Sequence, residues 1–233
     1  MIGTLINAFL ILVGTALGLV LRRGLPERLK NGLLSAMGLA TILIGLKSAI
    51  GTTDTLSVIV CMALGTLLGS ALNIEKQLDR FGRWTERKLS FLPGSGEEGS
   101  IAKGFVTATL VYCVGAMAIV GSISSALQHD HSTLIAKGII DGLTAIVFTS
   151  TLGIGVGLSA FAVLVYQGLI ALLAIQLSPV LTDLVINEMS AVGGLLIAAI
   201  GLNMIYDKHI PVGNMLPAIF LPIAYIPLSG LFA

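Results

Sequence analysis

The chain has 233 residues, of which 55% are hydrophobic and 11% charged, with a mean hydropathy of +0.99. Those charges are too few to coat a soluble core of this size, and a formal net charge of +1 gives no footing for a nucleic-acid partner. Cys61 and Cys113 lie inside apolar runs without metal or disulfide spacing, so they read as small buried hydrophobes.

Apolar runs of spanning length follow one another along the chain. The first, Ile2 to Leu21, carries its basic residues behind it rather than before it, which marks a retained span and not a cleaved signal. Gly32 to Ile50 and Thr55 to Asn73 complete a first membrane half over residues 1–73. Residues 74–101 form a polar connection. It opens with an apolar stripe at Ile74, Leu78, Phe81, Trp84 and Leu89 on a basic segment, which predicts an amphipathic helix on the membrane surface. It closes with a flexible Pro93 to Ser100 loop. The second half, 102–233, holds Ala102 to Leu127, Leu134 to Phe148, Leu152 to Leu177, Ser190 to Tyr206 and Pro211 to Phe232. The segment over 134–148 is short for a bilayer, so the expectation is seven or eight spans in an all-α polytopic bundle.

Ten of the 13 Lys and Arg residues fall in the loops 22–30 and 74–103. Under the positive-inside rule both loops are cytoplasmic and the N-terminus is outside, in a bacterial inner membrane. An internal echo is also present. Leu25, Glu27, Asn31, Ser35, Ala36 and Gly38 recur with a one-residue slip as Leu181, Asp183, Asn187, Ser190, Ala191 and Gly193, and Ile44-Gly45-Leu46 recurs as Ile200-Gly201-Leu202. With eight spans the two copies enter from opposite sides, predicting inverted-topology repeats. Chance similarity between Gly- and Ala-rich helices is the other reading.

Polar groups at membrane depth are costly, so each is a candidate pathway residue unless it merely pairs inside the bundle. Lys137 and Asp141 stand four apart on one helix face, just before Thr149-Ser150-Thr151 and a glycine-rich run to Gly157 that can host an unwound turn. An acid at 141 can exchange a proton or hold a cation. Asn214 precedes Pro217, Pro222 and Pro227, which free backbone carbonyls or simply kink the helix. Asn7, Asn203, Lys47 and Gln167 are further polar groups in spans, with Asn203 at the echo position of Lys47. The predicted solute or ion site therefore comprises Asp141, Lys137, Thr149, Ser150, Thr151, Asn214, Asn203 and Asn7. His129-Asp130-His131 reads as a polar turn rather than a metal site. No hydrolase, Walker A or dinucleotide motif stands in a usable context, so no enzyme activity and no cofactor are expected.

Several of these residues also form family motifs. Gly3 with Asn7, Leu25-Pro26-Glu27-Arg28, Ala63 to Gly69, Lys137 with Asp141, Leu152-Gly153-Ile154, Ser190 to Leu195 and Asn214 to Ala218 together resemble the bacterial YdfK and YqgA family over nearly the whole chain. The resemblance implies a multi-pass membrane protein without an assigned activity, in places labelled a transporter, and it carries over no site residue. The combined expectation is a small secondary transporter or channel-like protein moving a small solute or ion through the bilayer. The alternative is a non-transporting scaffold or sensor that binds anionic lipid or a protein partner. The small-residue pairs Gly14 with Gly18 and Gly65 with Gly69 allow either a homo-oligomer or packing within one subunit.

Overall fold

The computed structural model describes residues 2–22, 26–78, 80, 84, 100–114, 116–206 and 210–229, and among them every regular element is a helix. In chain order these are α1 (Ile2–Arg22), α2 (Glu27–Ala49), α3 (Thr55–Ala71), α4 (Ser100–Cys113), α5 (Ala116–Leu127), α6 (Ser132–Leu152), α7 (Gly155–Leu172), α8 (Ala174–Leu177), α9 (Asp183–Ile205), α10 (Val212–Met215), a 3-10 turn (Leu216–Phe220) and α11 (Pro222–Ser229). Residues 74–78 are also helical, and Trp84 is exposed. The rest of the predicted surface helix, including Phe81 and Leu89, the loop from Pro93 to Gly99, and Arg23, Arg83, Arg87, Lys88 and Lys208 all lie outside the described residues.

Local chemistry sets several helix ends. The Asp54 side chain accepts from the Ser57 N–H at the start of α3, and the Thr182 hydroxyl does the same for Val185 at the start of α9. α6 stops where Gly153 takes φ 83°, a left-handed conformation that suits glycine.

Four helices, α1, α6, α7 and α9, are long and apolar enough to cross a membrane. A fifth span arises if α4 and α5, bent by 60° against each other, are taken as one. This differs from the sequence expectation of seven or eight full spans, for identifiable reasons. α2 runs for 23 residues but carries Glu27, Arg28 and Lys30 in its first turns, and α3 covers only Thr55–Ala71. The final predicted span is divided into α10, a 3-10 turn and α11, with Pro217 and Pro222 at the divisions and Pro227 inside α11. The segment expected to be weak is instead a complete helix of 21 residues. The hydroxyls of Ser150 and Thr151 donate back to the carbonyls of Val147 and Phe148, so these polar residues extend α6 rather than end it.

Two helix seams organise the bundle: α1 on α6, and α2 on α9. Along the first, Gly3 meets Leu134, Asn7 meets Gly138, Gly14 meets Gly142, and Gly18 meets Ile146, so the two helices run parallel. A side chain at Gly14 would strike the carbonyl of Gly142. Along the second seam Gly38 meets Gly201 and Gly45 meets Gly194, an antiparallel register. α3 packs antiparallel on the α10 region, Gly65 against Ala218 and Gly69 against Asn214. Arg22, Arg28, Lys76 and Lys103 gather at one end of the bundle, where Gly104 also touches Leu152 and Glu75 reaches Gly213. Most side chains on the outside of α1, α3 and α7, such as Phe9, Val20, Leu67, Phe161 and Leu172, are large and apolar, as lipid contact requires.

Candidate functional site

Lys137 and Asp141 project from the first half of α6. Asp141 lies about 14 Å along a helix about 31 Å long, at a rise of 1.5 Å per residue. The Lys137 Nζ donates to Asp141 Oδ2 at 2.5 Å, and both side chains are buried. Three other helices bring polar groups to the same depth. From α1, Asn7 reaches toward the Asp141 carboxylate, yet neither its Oδ1 nor its Nδ2 closes a hydrogen bond of ordinary geometry. From α4, the Tyr112 ring centroid lies 6.0 Å from Lys137 Nζ, and its hydroxyl is buried without a partner among the described residues. Cys113, the last residue of α4 before the bend, is within electrostatic reach of both charges.

α7 supplies Gln167. This helix returns from the Gly153 turn antiparallel to α6, and Gly157 faces Thr15 of α1, so ten positions further on Gln167 lies at about the level of Asn7 along the bundle. Tyr166, beside it, lies within reach of Cys113. Gln167 is fully buried with both amide atoms unpartnered among the described residues. Buried amides without partners are uncommon because each forfeits its hydration. An ion pair, the Asn7 amide and a phenol thus form one polar layer in the first half of α6, with the Gln167 amide at a similar level on α7.

The remaining predicted residues lie elsewhere. Thr149, Ser150 and Thr151 occupy the last turn of α6, and the Gly153 break stands about 18 Å from Asp141 along the helix, at its end rather than at mid-depth. Ser150 and Thr151 are spent on helix carbonyls, while the buried Thr149 hydroxyl, packed at Gly18, has no partner among the described residues. Asn203 is bonded on both amide atoms to the backbone of Ile210, at 2.8 Å each. Asn214 Oδ1 accepts from the Glu75 N–H at 2.9 Å, and the Glu75 carboxylate in turn accepts from the Gly213 N–H at 2.6 Å. These two asparagines hold backbone at the basic end, beside a cavity of about 250 Å³ lined by Glu75, Lys103, Thr107, Asn203, Ile210 and Gly213.

Glu188 was not among the predicted site residues. Fully buried on α9, its carboxylate accepts from the hydroxyls of Thr52 (2.5 Å) and Thr53 (3.2 Å) and from the N–H groups of Thr53 (2.9 Å) and Asp54 (3.2 Å). Asn187 adds a bond to the Gly51 carbonyl. Together they clamp the α2–α3 turn at the end opposite the basic cluster. The sequence signal was faint, a hydroxyl-rich turn at Thr52-Thr53 ahead of the Asp54 cap. At that same end, His131 bonds the Ser125 hydroxyl, and hydrogen bonds from Ser132 hold the Asp130 carboxyl below its ordinary range.

The family model described as "Protein of unknown function (DUF554)" matches residues 2–226. The chain belongs to this family. DUF554 therefore takes in every helix from α1 into α11, including the polar layer and the Glu188 clamp. "Uncharacterized membrane protein YdfK" of Bacillus subtilis (strain 168) is 32% identical over 227 residues, 95% of this chain and 94% of the relative. "Uncharacterized protein YqgA" of Escherichia coli (strain K12) is 32% identical over 229 residues, 98% and 96% of the two chains. No solved structure matches the chain. With a relative named as a membrane protein and helices of spanning length, this DUF554 chain is a helical membrane protein.

Proposed function

We propose that this DUF554 protein is a small secondary transporter of the bacterial inner membrane, with the polar layer around Lys137 and Asp141 as its solute site. The observation that carries the reading is the layer itself. A buried ion pair with orphaned amides at a similar level inside the bundle is an expensive arrangement in a membrane, and packing alone does not call for it.

The helix seams support opposed halves. If each residue of α9 stands for the one 156 positions earlier in α2, Gly38 exchanges with Gly194 and Gly45 with Gly201, so the Gly38–Gly201 contact maps onto the Gly45–Gly194 contact, a constant offset in place of the one-residue slip. The antiparallel register is the one that oppositely inserted copies would adopt, and solutes in such folds bind where the copies meet broken helices. In this reading α2, α3 and the α10–α11 region also traverse the bilayer, giving eight passes with both termini outside. The basic end carrying Arg22, Lys76 and Lys103 faces the cytoplasm. That end also favours contact with anionic lipid through the exposed Lys76 and Arg80.

Flux in proteoliposomes tests the proposal. Wild type is expected to move at least one member of a panel of ions and small polar solutes, and Asp141→Asn is expected to abolish that flux while remaining folded by circular dichroism. Absence of any flux, together with unfolding of Asp141→Asn, assigns the pair to structure and favours a scaffold that does not transport.

A further inference from the structure

The polar layer also constrains what it can take, an inference that rests on reading it as a transport site. Among the described residues its only charges are one ammonium and one carboxylate, already in contact. A simple anion would engage Lys137 and strand Asp141. A simple cation would do the reverse, and either leaves a buried charge without a partner. The orphaned amides add a second restriction. Asn7 and Gln167 each present both an N–H donor and a carbonyl acceptor, and Tyr112 presents a hydroxyl. A bare cation satisfies the oxygens and leaves the N–H groups orphaned, whereas a bare anion leaves the oxygens.

We propose that this layer binds a small zwitterion, an ammonium carboxylate of amino-acid size, with its carboxylate on Lys137 and its ammonium on Asp141. Insertion between Lys137 and Asp141 exchanges one ion pair for two and adds no net charge to the low-dielectric interior. It also offers acceptors to the amide N–H groups and donors to the amide oxygens, so each polar group finds a partner. Ligand charges one carbon apart suit two side chains on adjacent turns of one helix face.

Alanine and its two half-charged analogues, propionate and ethylamine, separate the possibilities. Each is added to the purified full-length protein in detergent while the midpoint of thermal unfolding is followed. Alanine is expected to raise the midpoint, and neither half-charged analogue to do so. Gln167→Met retains the ion pair and removes only an orphaned amide, so it should unfold no earlier than wild type yet need roughly ten- to hundredfold more alanine for the same shift. An equal or larger shift from propionate, ethylamine or sodium chloride overturns the inference, as does an alanine response unchanged in Gln167→Met. Proteoliposome uptake distinguishes the two levels of the argument. Asp141-dependent flux of another solute with no response to alanine leaves transport standing and removes the zwitterion. An alanine shift without flux of any kind keeps the ligand and removes transport.

Discussion

The α1–α6 and α2–α9 seams use the same device and differ in what they enclose. Both bring backbones together at glycines, Gly14 on Gly142 in one and Gly45 on Gly194 in the other. Up to about 14 Å from the end opposite the basic cluster, the first holds Asn7, Lys137 and Asp141, whereas α9 carries Asn187 and Glu188 within about 8 Å of that end and then presents Ala191, Val192, Gly193, Leu196 and Ile197. In the second seam the charged and amide side chains sit toward the ends, where Asn187 and Glu188 clamp one turn and Asn203 holds the other. Polar side chains at helix ends have loop backbone to serve. The Lys137–Asp141 pair and Asn7 serve no loop, and the proposed site rests on that contrast.

The largest effect should come from splitting the ion pair. Asp141→Leu leaves Lys137 charged and alone in the interior, and should destabilise the protein by about 3–5 kcal/mol. Adding Lys137→Met should recover most of that loss while leaving transport absent, since two apolar residues pack where two charges were buried. Unfolding by sodium dodecyl sulfate in mixed micelles, read for both single variants and the double, measures the coupling. Additive losses would show that the pair is not a unit, and the contrast between the seams would weaken.

A middle-sized effect belongs to the α2–α9 seam. At Gly45 a methyl group meets the backbone of Ala198 and Gly194 and cannot be absorbed by a rotamer change, so Gly45→Ala should destabilise by about 1–3 kcal/mol. At Gly32, also on α2, the same methyl meets open space, and Gly32→Ala should be neutral or slightly stabilising. Equal responses at the two positions in the same micelle assay would mean that α2 and α9 are not closely seated.

The smallest shift concerns the end clamp. Glu188→Gln keeps the shape and loses the charge that strengthens four hydrogen bonds, at about 1 kcal/mol. Its sharper readout is chemical. Cys61 is buried beneath this turn, so its labelling by a maleimide in a Cys113→Ser background should speed up when the clamp loosens. An unchanged labelling rate would show that the turn is held by something other than Glu188.

How much of this was legible in the sequence follows from where each partner comes from. Lys137 and Asp141 pair along one helix, so their spacing alone announced them. Asn7 was recognisable as polar at depth, but its neighbour lies more than 130 positions away. Asn214 and Asn203 were polar for a different reason. Their partners are the backbone of Glu75 and of Ile210, and neither bond has a sequence signature. Glu188 sits in a stretch with Asn187 and Asp183 that resembles a solvated helix start, and only the arrival of the 52–54 turn makes it interior. The glycine turn at Gly153 was visible, while its depth was hidden because two hydroxyls that look helix-breaking fold back and lengthen α6.

The parallel alignment of α1 with α6 has a bearing on how the protein is made. α1 leaves the ribosome some 110 residues before the first turn of its partner, and α2 waits longer still for α9. Local helical hairpins therefore cannot close this bundle one after another. Asn7 enters the bilayer with nothing to pair with, and translation must be nearly finished before either seam can zip. Premature termination anywhere before α9 would release a chain with a glycine groove open to lipid, a natural target for membrane quality-control proteases.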